Sequence, residues 1–121
     1  MKKILIVDDE REVRRLVEVT LRSGDYEILQ AEDAEKAIEI ASTELPDLII
    51  MDVMMPGDMD GFEATRILKN NPETKAIAVI MLTARGQEAD KEKGLKVGAD
   101  DYFVKPFSPL ELIEKVEEVI G

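Results

Sequence analysis

Short apolar runs alternate five times with longer amphipathic stretches, and four of the five runs end on a charged or hydroxyl residue. Residues 4–7 stop at Asp8 and Asp9, residues 48–51 at Asp52, residues 77–82 at Thr83, and residues 102–104 at Lys105. The fifth run, residues 26–31, is partly polar, as an edge strand can be. Between the runs the period changes to that of a helix. Val13, Leu16, Val17 and Leu21 share one expected face, closed by Gly24; Ala34, Ala37, Ile38, Ala41 and Leu45 form a second, with Asp33 as N-cap and Pro46 beyond its end. Asp60 with Glu63 reads as a capping box ahead of Phe62, Ala64, Ile67 and Leu68. Ser108, Pro109 and Glu111 open a last helix carrying Leu112, Ile113, Val116 and Ile120. The charged stretch 86–98 has few apolar anchors and contains Gly94, so it is expected to form a weakly held, mobile helix. Strand–helix alternation of this kind implies an α/β fold, a doubly wound five-stranded parallel sheet with helices on both faces.

The 121 residues suit a single domain spanning 1–121, and with 45% hydrophobic residues they can bury a core. Neither cysteine nor histidine occurs, which excludes disulfides, thiolate zinc, and every Ser-His-Asp or Cys-His mechanism. A net charge of −11 disfavours nucleic acid as a direct partner, since phosphate binding needs clustered cations. The N-terminal apolar run is too short for a secretory signal, and no run approaches the ~18–20 residues of a membrane span. A soluble, cytoplasmic protein is expected.

In doubly wound sheets, ligands sit at the carboxyl ends of the strands, where Asp8, Asp9, Asp52, Thr83 and Lys105 would gather. Neighbouring strands lie ~4.8 Å apart, so three carboxylates there repel one another unless a cation intervenes. Oxygen-only ligands favour Mg²⁺, which keeps coordination positions for water and phosphate oxygens. Lys105 and the Thr83 hydroxyl are then donors for a phosphoryl group. Asp52, alone at the end of an apolar run, is the best nucleophile, able to form an aspartyl-phosphate. Taken singly, Asp8 or Asp9 reads as a helix cap, Thr83 as a strand-end hydroxyl and Lys105 as a solvated charge. Their joint occurrence on four strand ends favours a site.

ILIVDDE, DLIIMDVMMPG, MLTA and VKPF, in this order and spacing, resemble the receiver domain of two-component response regulators over essentially the whole chain. The resemblance implies a flavodoxin-like strand order 2-1-3-4-5. It implies that Asp52 accepts a phosphoryl group from a histidine kinase or histidine-containing phosphotransferase. Mg²⁺, or Mn²⁺ in its place, would be held by Asp9, Asp52 and the Met54 carbonyl, with Asp8 acting through water. Lys105 would pair with the phosphate, Thr83 would move to bond it, and Tyr102 would rotate inward. The Lys105–Pro106 bond would be cis. The face formed by the fourth helix, fifth strand and fifth helix would then control a protein target or a fused output domain. Such a domain is no enzyme beyond its own phosphorylation and dephosphorylation. Met54 and Arg85 flank the site at positions that tune phosphate lifetime. MPGDMDG carries one residue more than the family's common spacing between the phosphoacceptor and the glycine of the third helix, here Gly61, so an altered loop is expected. A haloacid-dehalogenase-type phosphatase would need an acid where Met54 stands. A flavodoxin-like carrier would need a Gly/Ser/Thr-rich first loop. A pseudo-receiver that takes no phosphate is the remaining alternative. Both a stand-alone regulator and a receiver from a longer chain fit.

Overall fold

The computed structural model describes residues 1–84 and 88–121. In chain order the elements are β1 (Lys2–Val7), α1 (Arg11–Leu21), β2 (Tyr26–Ala31), α2 (Ala34–Glu44), β3 (Leu48–Asp52), α3 (Gly61–Lys69), β4 (Ala78–Ala84), α4 (Glu88–Lys96), β5 (Asp101–Lys105) and α5 (Pro109–Ile120). All strands pair in parallel, in the order β2-β1-β3-β4-β5. This is the five-stranded, doubly wound architecture that the alternation implied. Arg85 and the start of the 86–98 stretch lie outside the described residues.

Side-chain alternation along the strands divides the core in two. Leu5, Val7, Ile49, Met51, Val79 and Met81 face α2 and α3 through Ala37, Ala41, Phe62 and Leu68. Ile4, Ile6, Leu48, Ile50, Ile80 and Leu82 face α1 and α5 through Val17, Leu21, Leu112 and Val116. Every residue of β3 is buried, as the central strand of a doubly covered sheet must be.

Three expected caps form as the sequence suggests. Backbone N–H groups of Lys36, Glu63 and Glu111 donate to the side chains of Asp33, Asp60 and Ser108. The Glu63 carboxylate, expected to reach back to the cap, instead accepts from Arg66. Leu16 departs from the expected α1 face: it is half exposed, because the buried line runs through Val13, Val17 and Leu21 at four-residue steps. Leu45 also departs, being the exposed left-handed C-cap of α2 (φ 47°). Gly24 does not close α1 through a left-handed turn; Arg22 caps the helix in right-handed geometry.

The longer loop before α3 turns at Gly57 (φ 100°), where a side chain would meet open space. Gly61 meanwhile stays docked: its N–H donates to the Val53 carbonyl at 3.1 Å. A Cβ there would stand 2.1 Å from the Asp52 carbonyl oxygen, so only glycine permits this approach of α3 to the end of β3. The loop therefore turns away from the protein at Gly57 while α3 stays docked on the end of β3.

Candidate functional site

The strand ends converge as the topology requires. Asp8 follows β1 and is fully buried, Asp52 ends β3 at 5% exposure, and Thr83 lies in β4 at 4%. Lys105, at the end of β5, joins two of them: its Nζ donates to Asp8 Oδ2 at 2.8 Å and to Asp52 Oδ1 at 3.3 Å. Residues 97 and 53 positions apart in sequence thus share one ammonium. Asp8 is held further by the Glu10 N–H, which donates to its Oδ1 at 2.9 Å. Asp9 is exposed and caps nothing; Glu10 occupies the N-cap position of α1 without a side-chain cap bond.

Burial and a neighbouring carboxylate act together on Asp52. Burial, and then the negative charge of Asp8, push the Asp52 carboxyl up to about 7, against the opposing pull of Lys105. Burial disfavours the Lys105 ammonium, but the hydrogen bond to Asp8 and the charges of both aspartates outweigh it, leaving its pKa above the ordinary lysine value. Asp52 therefore stands between its protonated and ionised forms near neutral pH.

The donor set suits a hard divalent cation. Carboxylate oxygens of Asp8, Asp9 and Glu10 can all lie within 4.8 Å of one another, with no nitrogen or sulfur ligand among them. Glu10 is an addition to the set expected from the sequence. Asp52 joins the group through Lys105. The Met54 side chain points to solvent at 72% exposure, which leaves only its backbone available to the site.

Thr83 and Tyr102 line one tight crevice beneath α4, too small to admit a water, together with Met81, Gly94 and Leu95. The Thr83 hydroxyl donates to the Ala84 carbonyl at 3.3 Å rather than to Asp52. Tyr102 is half-buried, and the Lys91 ammonium lies 4.4 Å from its ring centroid. Another ammonium of α4, from Lys93, lies 4.6 Å from the Phe62 ring. On α4, Leu95 is half exposed and Gly94 packs against Met81, so the helix rests on small and cationic contacts more than on apolar ones. The Lys105–Pro106 peptide bond is cis.

The response regulator receiver domain family matches residues 4–117. The chain belongs to this family. It is 47% identical over 119 residues to the phosphate regulon transcriptional regulatory protein PhoB of Pseudomonas aeruginosa, covering 98% of this chain and 52% of that protein. Against the alkaline phosphatase synthesis transcriptional regulatory protein PhoP of Bacillus subtilis it is 43% identical, with 98% and 48% covered. The chain therefore spans about half the length of the curated relatives it matches. Among solved structures, a putative response regulator from Chloroflexus aurantiacus superposes with a TM-score of 0.93 at 38% identity, covering 98% of this chain and 96% of that one. The chemotaxis response regulator CheY4 of Vibrio cholerae gives 0.91 at 36%, with 99% of each chain covered. The receiver domain is thus a member of a signalling family rather than of a family of catalytic enzymes. No helix among the described residues is long and apolar enough to cross a membrane.

Sequence reasoning missed Arg14, whose Nη1 donates to the Asp8 carbonyl at 2.6 Å. An arginine within a charged helix carries no spacing signal that would have pointed to it.

Proposed function

We propose that residues 1–121 form a phosphorylation-activated switch in which Asp52 accepts a phosphoryl group from a phosphohistidine on a kinase or phosphotransferase. The observation that carries this reading is the Lys105 ammonium shared between Asp8 and Asp52 at the carboxyl edge of the sheet. Family membership supports it. In the transfer, a carboxylate oxygen of Asp52 forms the new P–O bond as the P–N bond of the phosphohistidine breaks, and the imidazole leaves. Only the ionised carboxylate can attack, so the neighbouring positive charge of Lys105 favours the reactive form. Asp8, Asp9, the Met54 carbonyl and Asp52 are the residues that would hold Mg²⁺ or Mn²⁺. When bound, such a cation neutralises phosphoryl oxygens and neighbouring carboxylates.

Phosphorylation adds charge and acceptor oxygens beside Thr83 and Lys105. Thr83 then trades its contact with Ala84 for the phosphate, and Tyr102 rotates inward into the space that the Thr83 side chain vacates. The α4–β5–α5 face changes and controls a partner protein or a fused output domain in the cytoplasm. The chain spans about half the length of these relatives, which favours a fused output domain as the target of the switch.

Intact-mass analysis after incubation with acetyl phosphate tests the acceptor. A single phosphoryl adduct is expected with Mg²⁺, none with chelator and none in Asp52→Asn. If neither an adduct nor a fluoroberyllate complex formed, the non-phosphorylated interaction module would be the correct reading.

A further inference from the structure

Every polar atom of Asp8 has a partner. Its N–H donates to the Ala31 carbonyl at 3.2 Å, Oδ1 accepts from the Glu10 N–H, and Oδ2 accepts from Lys105. The carbonyl is held by Arg14 of α1, whose Nη1 donates at 2.6 Å. Arg14 is itself held in place: its Nε donates to Gln30 Oε1 of β2 at 3.1 Å. Gln30 Nε2 donates to Glu18 Oε1 at 2.8 Å, and Glu18 accepts from Arg22 at 3.1 Å. A chain of side chains thus runs from the exposed side of α1, through the edge strand, to the peptide that links Asp8 to Asp9.

We infer that Arg14 is a positioning residue for divalent-cation binding: it fixes the Asp8–Asp9 peptide plane so that the two carboxylates stand ready to share a cation. The inference rests on the proposed Mg²⁺ site at Asp8 and Asp9. A carbonyl gripped by a charged donor resists rotation of the peptide it belongs to, and that rotation would swing the exposed Asp9 side chain away. Groups that orient metal ligands from behind commonly change affinity 10–100-fold when removed.

The sign of the effect separates this role from bulk electrostatics. Arg14 is a cation near a cation site, so Coulomb repulsion alone makes its removal tighten Mg²⁺ binding. Positioning makes the same removal weaken it.

Calorimetric titration of the full chain with Mg²⁺, without phosphodonor, decides between them, with thermal melts run beside each variant. Arg14→Met, which keeps the apolar stem, is expected to bind Mg²⁺ about tenfold more weakly than wild type. Gln30→Met, which removes the second anchor of the guanidinium without changing net charge, is expected to weaken binding in the same direction. Arg15→Met removes a like charge from the same helix and is expected to bind no more weakly than wild type. Equal or tighter binding by folded Arg14→Met would overturn the inference. Should Arg14→Met fail to melt cooperatively, unchanged affinity in Gln30→Met would overturn it instead. A wild type that binds no Mg²⁺ at millimolar concentration would overturn the proposed cation site itself, a different failure from a wild type that binds with its Arg14 variant unchanged.

Discussion

At Asp52, the proposed phosphoacceptor, the ionised form that the proposed chemistry needs is the form that burial disfavours. Its carboxyl, ordinarily near 3.8, sits at about 7 in the fold, so between these values the folded chain holds a proton that the unfolded chain has released. The stability tied to that proton is fully present below the lower value and is lost as pH rises through the upper one. Asp52→Asn cannot ionise. At pH 8 in chelator-containing buffer it is expected to be more stable than wild type by about 2 kcal/mol, roughly 5–10 °C in melting temperature. The gap closes toward pH 4. Melts at the two pH values check this, and an equal gap at both would contradict it. At this scale the sequence was informative where chemistry sits at strand ends: Asp8, Asp52, Thr83 and Lys105 all lie where the apolar runs stop. Glu10 and Arg14 were not legible, because a carboxylate or guanidinium on a charged helix acquires its partner only when the chain folds.

Among the elements, two glycines govern how closely helices approach the site, and they do so with opposite tolerance. At Gly61 an added Cβ meets the backbone of Asp52 and Val53, at 2.1 and 3.1 Å, and backbone cannot step aside. Gly61→Ala is expected to cost about 3 kcal/mol in urea unfolding and to depress phosphorylation, because α3 must withdraw from the end of β3. Wild-type stability in that variant would contradict the docking described. At Gly94 the nearest atom is the Met81 sulfur at 3.1 Å, the far part of a flexible side chain that can shift. Gly94→Ala restores helix propensity worth about 1 kcal/mol, and a net gain of roughly 0.5 kcal/mol in urea is expected. A loss instead would mean that α4 needs its close seat on β4. The expected strand and helix runs match the observed elements to within about two residues, since period and capping are local signals. Leu16 and Leu45 misled because apolar identity does not by itself place a side chain inward. The outward turn at Gly57 was not legible either: the family spacing suggested an altered loop, not where the chain would put it.

Across the whole molecule, the doubly covered sheet separates a deeply buried centre from a more thinly packed edge. β1 and β3, which supply Asp8 and Asp52, are central and deeply buried. The opposite side of the site is built from α4, with its cation–ring contacts, and from β5 at the sheet edge. A charge added at Asp52 is therefore expected to leave the central strands unchanged and to alter α4 and β5, through Thr83 and Tyr102. Alternation in the sequence indicated a parallel sheet with helices on both faces, whereas strand order needed the family resemblance, because local patterning says little about which strands are neighbours. Amide hydrogen exchange of wild type and Asp52→Asn, in Mg²⁺ with and without beryllium fluoride as the phosphoryl mimic, tests this division most directly. The expected result is altered protection in peptides spanning residues 88–105 of wild type, absent in Asp52→Asn, with β1 and β3 unchanged. Wild-type protection that stays the same over 88–105, or that changes equally in Asp52→Asn, would contradict a switch driven from Asp52.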